Sequence, residues 1–295
     1  MCALRQYCKL NIKGHHTYLF SIFLLLLIIV NRLMSWLNKY IDYKNSYEQT
    51  GGYWVEPVSG RQISGAGVIL IENYGHGIVK RPCIIVFRSL LRGNRLGKYE
   101  IPSGEIGSPP NIPVPPPPWV TASKELREES RGMFHVDQNI IHGLPFEDVS
   151  FNHGGVIKYN RIYMMLVSSA HGLVSHHYHR NIDIINANIA RKRPHHAGQY
   201  METDEIARIP IASLPVALGP PLTVGDFNVN GFLPHGVNAM ITLIDIQKNI
   251  LRQCLPRVNA LIAGAPVYPL LNFDPNNMHG RTIGTPYEGT ATYWL

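Results

Sequence analysis

A chain of 295 residues with 45% hydrophobic and 16% charged content holds enough apolar material for a sizeable core, which excludes wholesale disorder. Its net charge of +7 and pI near 9.2 suit a polyanionic partner, whether nucleotide, nucleic acid or acidic membrane surface, without choosing among them. The four cysteines, Cys2, Cys8, Cys83 and Cys254, show neither C-x-x-C spacing nor the density of a disulfide scaffold, which argues against structural zinc.

The first element in chain order is an apolar run over residues 18–30, interrupted only by Ser21 and flanked by Arg5, Lys9 and Lys13 on one side and Arg32 on the other. A membrane-crossing helix needs about 20 residues, and residues 17–37 reach that length if Arg32 snorkels and Trp36 sits at the interface. No small-x-small cleavage site follows, so an uncleaved single-pass anchor is expected, with residues 1–40 as tail and anchor and residues 17–37 as the membrane contact. The basic residues on the two flanks cancel as orientation signals. The lack of an N-x-S/T sequon favours the cytosolic side for the main domain.

Residues 41–61 turn polar and read as a linker, and a folded domain is expected over 62–255. Within it, residues 65–71 and 81–88 are rich in aliphatic and β-branched residues and predict strands, separated by a turn-like 73–77. Cys83 sits inside the second of these runs, where a buried, inert thiol is expected. A turn over 93–97 and a short strand over 99–101 follow. The segment 108–119 is dominated by proline. Beyond it, residues 120–131 predict a helix that Thr121 could cap, with Gly132 near its end. A strong strand is expected at 159–167, an acidic cluster leading into a strand at 202–214, and a helix at 239–255 carrying Ile241, Ile244, Ile246, Ile250 and Leu251.

Two regions interrupt the domain. One is the proline-rich segment, taken as an insertion over 106–119. The other, over 171–200, carries His171, His176, His177, His179, His195 and His196 with a basic triplet at 191–193. It reads either as a solvated loop or as a basic lip that grips phosphate or an RNA cap. Residues 256–295 form a Pro-, Gly- and Asn-rich C-terminal extension.

The chemistry concentrates on the helix. Glu125, Glu128 and Glu129 stand at i, i+3 and i+4, so three carboxylates share one face at neighbouring heights. Crowded carboxylates repel one another and raise their own pKa values until a cation neutralises them, which suits a hard divalent ion. The same string, Lys-Glu-Leu-Arg-Glu-Glu, also suits an ordinary solvated helix laced with charge pairs.

With Gly104 upstream and Lys124, Glu125, Leu126, Glu128, Glu129 and Gly132 in order, this region resembles the Nudix box, G-x5-E-x7-R-E-U-x-E-E-x-G-U, where U is a bulky aliphatic residue. The resemblance implies an α+β fold, a Nudix-like α/β/α sandwich around a mixed sheet. It implies Mg²⁺ or Mn²⁺ held by Glu125, Glu128 and Glu129 with the Gly104 backbone, Glu125 and Glu129 as catalytic residues, and Lys124 and Glu105 as supports of the loop. It further implies Arg88, Lys98 and Glu205 as substrate contacts. The implied reaction is hydrolysis of a diphosphate linkage in a nucleoside diphosphate derivative. Sugar nucleotides, dinucleoside polyphosphates and capped RNA stay open as substrates. The alternative is a degenerate domain that binds nucleotides or a protein partner.

The box departs from its pattern in four places. Nineteen residues separate Gly104 from Lys124 where the pattern has thirteen, and the box glutamate falls on Pro110 or Pro116, depending on the end counted from. Lys124 replaces an arginine and so lacks its bidentate fork. Arg131 is an extra residue before Gly132. Ser103 replaces the first of two glycines.

Overall fold

The computed structural model describes residues 49–50, 53–76, 79–91, 93–107, 115–131, 134, 136–153, 155–167, 183, 202–219, 225–233 and 236–268. All of them belong to one unit that begins at Gln49. The anchor segment at 17–37 lies outside the described residues, as does nearly all of 171–200. Among the described residues no helix is long and apolar enough to cross a membrane.

In chain order the elements are β1 (Gln49–Thr50), β2 (Tyr53–Val55), β3 (Gln62–His76), β4 (Val79–Ser89), a 3-10 turn at Gly93–Arg95, β5 (Tyr99–Glu100) and β6 (Ser103–Glu105). Then come α1 (Pro118–Glu129), α2 (Gln138–Gly143), β7 (Phe146–His153), β8 (Val156–Val167), β9 (Thr203–Pro210), a 3-10 turn at Ile211–Ser213 and α3 (Leu214–Leu218). The last are β10 (Phe227–Phe232), β11 (Asn238–Leu243), α4 (Asp245–Ile262) and β12 (Val267–Tyr268).

The sheet is mixed. β3 runs parallel to β8 and antiparallel to β4, while β7 pairs antiparallel with β8 and β9 antiparallel with β4. Because side chains alternate between faces along a strand, Ile69, Ile71, Ile84, Val86, Ile162 and Met164 share one face, and Ile250, Leu251, Cys254 and Val258 of α4 close over it. The intervening Val68, Leu70, Ile85, Phe87, Tyr163 and Met165 are equally buried on the opposite face, the side of Ala122 and Leu126 in α1. Helices therefore cover both faces, which explains why these strands read as unbroken apolar runs.

Several boundaries differ from the sequence expectation. The turn-like 73–77 begins as a continuation of β3, which pairs with β4 as far as His76↔Val79. Residues 239–243 are strand, not helix, because they pair along their length with β10. Helix α4 starts only at Asp245 and continues through Pro256 to Ile262. Ile241 and Ile244 stand at i and i+3, and Ile244 and Leu251 at i and i+7, but this helical spacing runs across two separate elements, β11 and α4. Thr121 does not cap α1: the helix begins earlier, at Pro118, where a missing N–H leaves no hydrogen bond unmade. The proline run thus flows into the helix. Past residue 255, β12 joins β8 in parallel, so this part of the extension packs on the sheet.

One divergence in the sheet positions the site. β4 pairs with β3 through Ile85 and then, at Phe87 and Arg88, with β5. β3 meanwhile pairs with β6 at Gly65, Ala66 and Gly67. The β5–β6 segment fills the gap between them, and it fits because Gly67 has no side chain: a Cβ there would lie 2.5 Å from the Pro102 carbonyl oxygen.

Candidate active site

Helix α1 brings its carboxylates against the β6 strand. A Cβ placed on Gly104 would lie 2.3 Å from Cδ of Glu125 and 2.5 and 2.6 Å from its two oxygens, so the carboxylate rests where any other side chain would begin. Glu128 and Glu129 are both buried. Lys124 lies between neighbours on the same helix, with Nζ 3.2 Å from Glu125 Oε1 and 2.9 Å from Glu128 Oε2.

Glu129 has the least compensated charge. Its Oε2 is buried without a hydrogen-bond partner. Burial holds its pKa well above the usual carboxylate range, and the charges of Glu100, Glu125 and Glu202 push the same way against the opposing pull of Arg95. Glu125 is also shifted upward, first by burial, with Glu128 adding to the shift and Lys124 opposing it. Burial raises Glu202 as well, assisted by Glu125 and Glu128. Arg95 donates to Glu100 through Nε at 2.9 Å and through a second, shorter bond from its other nitrogen. Five carboxylates thus face two cations, Arg95 and Lys124.

The turn after α1 aligns this cluster. Arg131 takes a left-handed φ of 53° at the place where the box pattern carries glycine, and its buried guanidinium donates to the Thr203 carbonyl. Thr203 in turn donates its hydroxyl to the Glu129 carbonyl at 2.6 Å. These two bonds fix the start of β9 to the end of α1, which brings Glu202 beside the helix carboxylates.

The donor chemistry fits a hard divalent ion: only carboxylate oxygens, uncompensated negative charge, and one buried oxygen without a partner. Among the described residues, however, no three His, Cys, Asp or Glu side chains form a preformed ion cage. The Lys124 ammonium is already shared between Glu125 and Glu128, where it competes with an ion. Replacing it with methionine (K124M) is therefore expected to tighten Mn²⁺ binding on the order of tenfold, measured by calorimetry without substrate. Unchanged or weaker Mn²⁺ binding would remove Lys124 from that role.

The remaining expected site residues are placed as follows. Glu105 ends β6 opposite Gly65, and Lys124 pairs with Glu125 and Glu128 instead of with it. Arg88 forms a fork on Asp204 at 2.8 and 2.9 Å and reaches Glu205 at 2.9 Å, while Tyr99 donates its hydroxyl to Glu205 at 2.5 Å. Lys98 pairs with Asp226. Arg88 and Glu205 are thus brought together with each other, and Lys98 with Asp226. Sequence reading passed over Arg95, Glu100 and Glu202. Glu100 and Glu202 were visible only as acidic residues opening the two segments that flank the site.

No protein-family model matches the chain, and no curated protein matches it. Among solved structures it is similar to a mutT/nudix family protein from Listeria innocua, at 15% identity over 68% of this chain and 95% of that one, with a TM-score of 0.32. It is also similar to a MutT/nudix family protein from Enterococcus faecalis, at 10% identity over 76% and 70% of the two chains and a TM-score of 0.35. A Caenorhabditis elegans Ap4A hydrolase overlaps 36% of this chain and 70% of its own, at 12% identity and a TM-score of 0.24. The carboxylate geometry, not these overlaps, carries the functional reading.

Proposed function

We propose that the chain is a Nudix-type hydrolase that cleaves a diphosphate linkage in a nucleoside diphosphate derivative with Mg²⁺ or Mn²⁺. The observation that carries this reading is Glu129, buried with an unpartnered oxygen among Glu100, Glu125 and Glu202, beside a helix face laid against Gly104. Glu125, Glu128 and Glu129 would hold the ion, with the Gly104 backbone as a further oxygen donor. When bound, such an ion polarises phosphoryl oxygens and lowers the pKa of coordinated water. The protein's own part is proton transfer. The resemblance to the box gives Glu125 and Glu129 the role of taking the proton from attacking water, through carboxylate oxygens that the ion would leave free.

A second reading, a binding module without turnover, is favoured by Lys124 standing between Glu125 and Glu128 and by prolines in place of the box glutamate. A panel of sugar nucleotides, dinucleoside polyphosphates and capped RNA separates the two. Turnover is expected with Mg²⁺ or Mn²⁺, absent with EDTA, and reduced about a hundredfold or more in Glu128→Gln. Traces that are equal across metal conditions and variants would leave only the binding module.

A further inference from the structure

A cavity of about 870 Å³ opens beside the carboxylate cluster and shares Arg95, Glu100 and Gly104 with it. That is the size of a small-ligand site. Its remaining wall carries one further carboxylate, Glu105 beside Gly104, and is otherwise unlike the cluster. Tyr53 and Phe151 supply aromatic surface, and four amides, Asn94, Asn152, Asn160 and Gln247, line the cavity with them.

Asn152, Asn160 and Gln247 share one feature. In each, the carbonyl end already accepts from the protein: Asn152 Oδ1 from the Gly155 N–H at 3.1 Å, Asn160 Oδ1 from the Ser64 hydroxyl at 3.2 Å, and Gln247 Oε1 from the Ile101 N–H at 3.3 Å. Among the described residues no acceptor meets any of the three NH₂ ends. Asn160 is seated by Gly65, where a Cβ would lie 2.7 Å from its Oδ1. Gln247 is buried at the first turn of α4.

The charges point the same way. Arg95 is neutralised by Glu100. Lys158 lies with Nζ 4.9 Å from the Tyr53 ring centroid, and no carboxylate pairs with it among the described residues. Three unengaged amide donors and one ammonium therefore surround aromatic surface, with no cluster of free cations of the kind a polyphosphate would need. The complementary ligand is flat, apolar on its faces and rich in acceptors along its edge.

We infer that this cavity binds the nucleobase of the substrate, through aromatic contact with Tyr53 and Phe151 and donation from Asn152, Asn160, Gln247 and Lys158 to a carbonyl-bearing base edge. The inference rests on the hydrolase reading for the position of the phosphates at the Arg95–Glu100 end. It is tested on the full chain in EDTA, where turnover cannot intervene, by calorimetric titration with uridine, guanosine and adenosine monophosphates and with ribose 5-phosphate. Uridine or guanosine monophosphate is expected to bind at least tenfold tighter than ribose 5-phosphate and tighter than adenosine monophosphate, whose exocyclic amine donates instead of accepting. Asn160→Ala and Lys158→Met are each expected to weaken that binding several-fold or more, with Val216→Ala, at an exposed position of α3 outside the cavity, leaving it unchanged; Lys158→Met also covers the case in which the Asn160 variant fails to fold. Ribose 5-phosphate binding as tightly as the nucleotides, adenosine monophosphate binding best, or folded variants binding like the wild type would each overturn the assignment. Base-dependent binding without hydrolysis would retire the hydrolase reading and keep the cavity. Hydrolysis with KM unmoved in both variants would do the reverse.

Discussion

Glu129→Gln is expected to abolish metal-dependent hydrolysis while raising the thermal stability of the metal-free protein at neutral pH. The activity loss follows from the position of Glu129, and removal of a positioned proton acceptor that also serves as an ion ligand costs roughly 10²–10⁴-fold. The stability gain follows from linkage. Burial and the charges of Glu100, Glu125 and Glu202 raise the Glu129 pKa in the folded state above its ordinary value of 4.5, so folding favours the protonated form. Stability from this group is fully present below pH 4.5 and is lost as pH rises through the folded value. Glutamine carries no charge at any pH. The variant should therefore match the wild type near pH 4 and melt a few degrees higher at pH 7, in line with a gain on the order of 1 kcal/mol in a domain of this size. Saturating Mg²⁺ should reverse the order, since it stabilises only the chain that binds it. Melting curves at pH 4 and 7, with and without Mg²⁺, check this; a variant that is less stable at pH 7 in EDTA, or one that keeps full turnover, would contradict it.

The helix carboxylates were legible in the sequence because their relation is local: i, i+3 and i+4 need only helical geometry to share a face. The central strands were legible for a related reason, since burial on both faces leaves apolar runs without polar interruption, as in 65–71 and 159–167. Glu100, Arg95 and Glu202 were not. They meet Glu129 only because β5 fills the space where β3 and β4 part and because Thr203 ties β9 to the end of α1. Thr203 is adjacent to Glu202, but its partners Glu129 and Arg131 lie 74 and 72 residues away in the chain. The extra residue before Gly132 was visible, but its consequence was not: Arg131 itself takes the left-handed conformation and sends its guanidinium to Thr203. The helix expected over 239–255 failed for a different reason. A single apolar period of helical spacing ran across a strand and the helix that follows it, and only the pairing with β10 separates them.

The largest loss of stability is expected not at the site but from Arg208→Met. Arg208 on β9 and Glu72 on β3 form an ion pair whose side chains are 2% and 0% exposed, and they meet across β4, where Glu72 lies opposite Cys83 and Arg208 opposite Ile85. The Tyr74 ring stacks near the guanidinium, 4.5 Å from centroid to Cζ. How dry this region is can be read from Cys83, whose thiol is pushed up to about 12, chiefly by burial and next by the Glu72 charge. A carboxylate in such surroundings tolerates ionisation only beside its counter-charge. Taking away the guanidinium costs about 3–5 kcal/mol, since the cost of burying Glu72 persists after the attraction is gone. Removing both charges is different: Glu72→Leu combined with Arg208→Met replaces the pair with apolar volume and should recover most of the loss, because a buried pair contributes little net stability over well-packed hydrophobic residues. Urea unfolding of the two single variants and the double variant forms a closed cycle with the wild type. Additive losses in the double variant would mean that Arg208 stabilises the sheet through its packing on Tyr74, and not through neutralising Glu72.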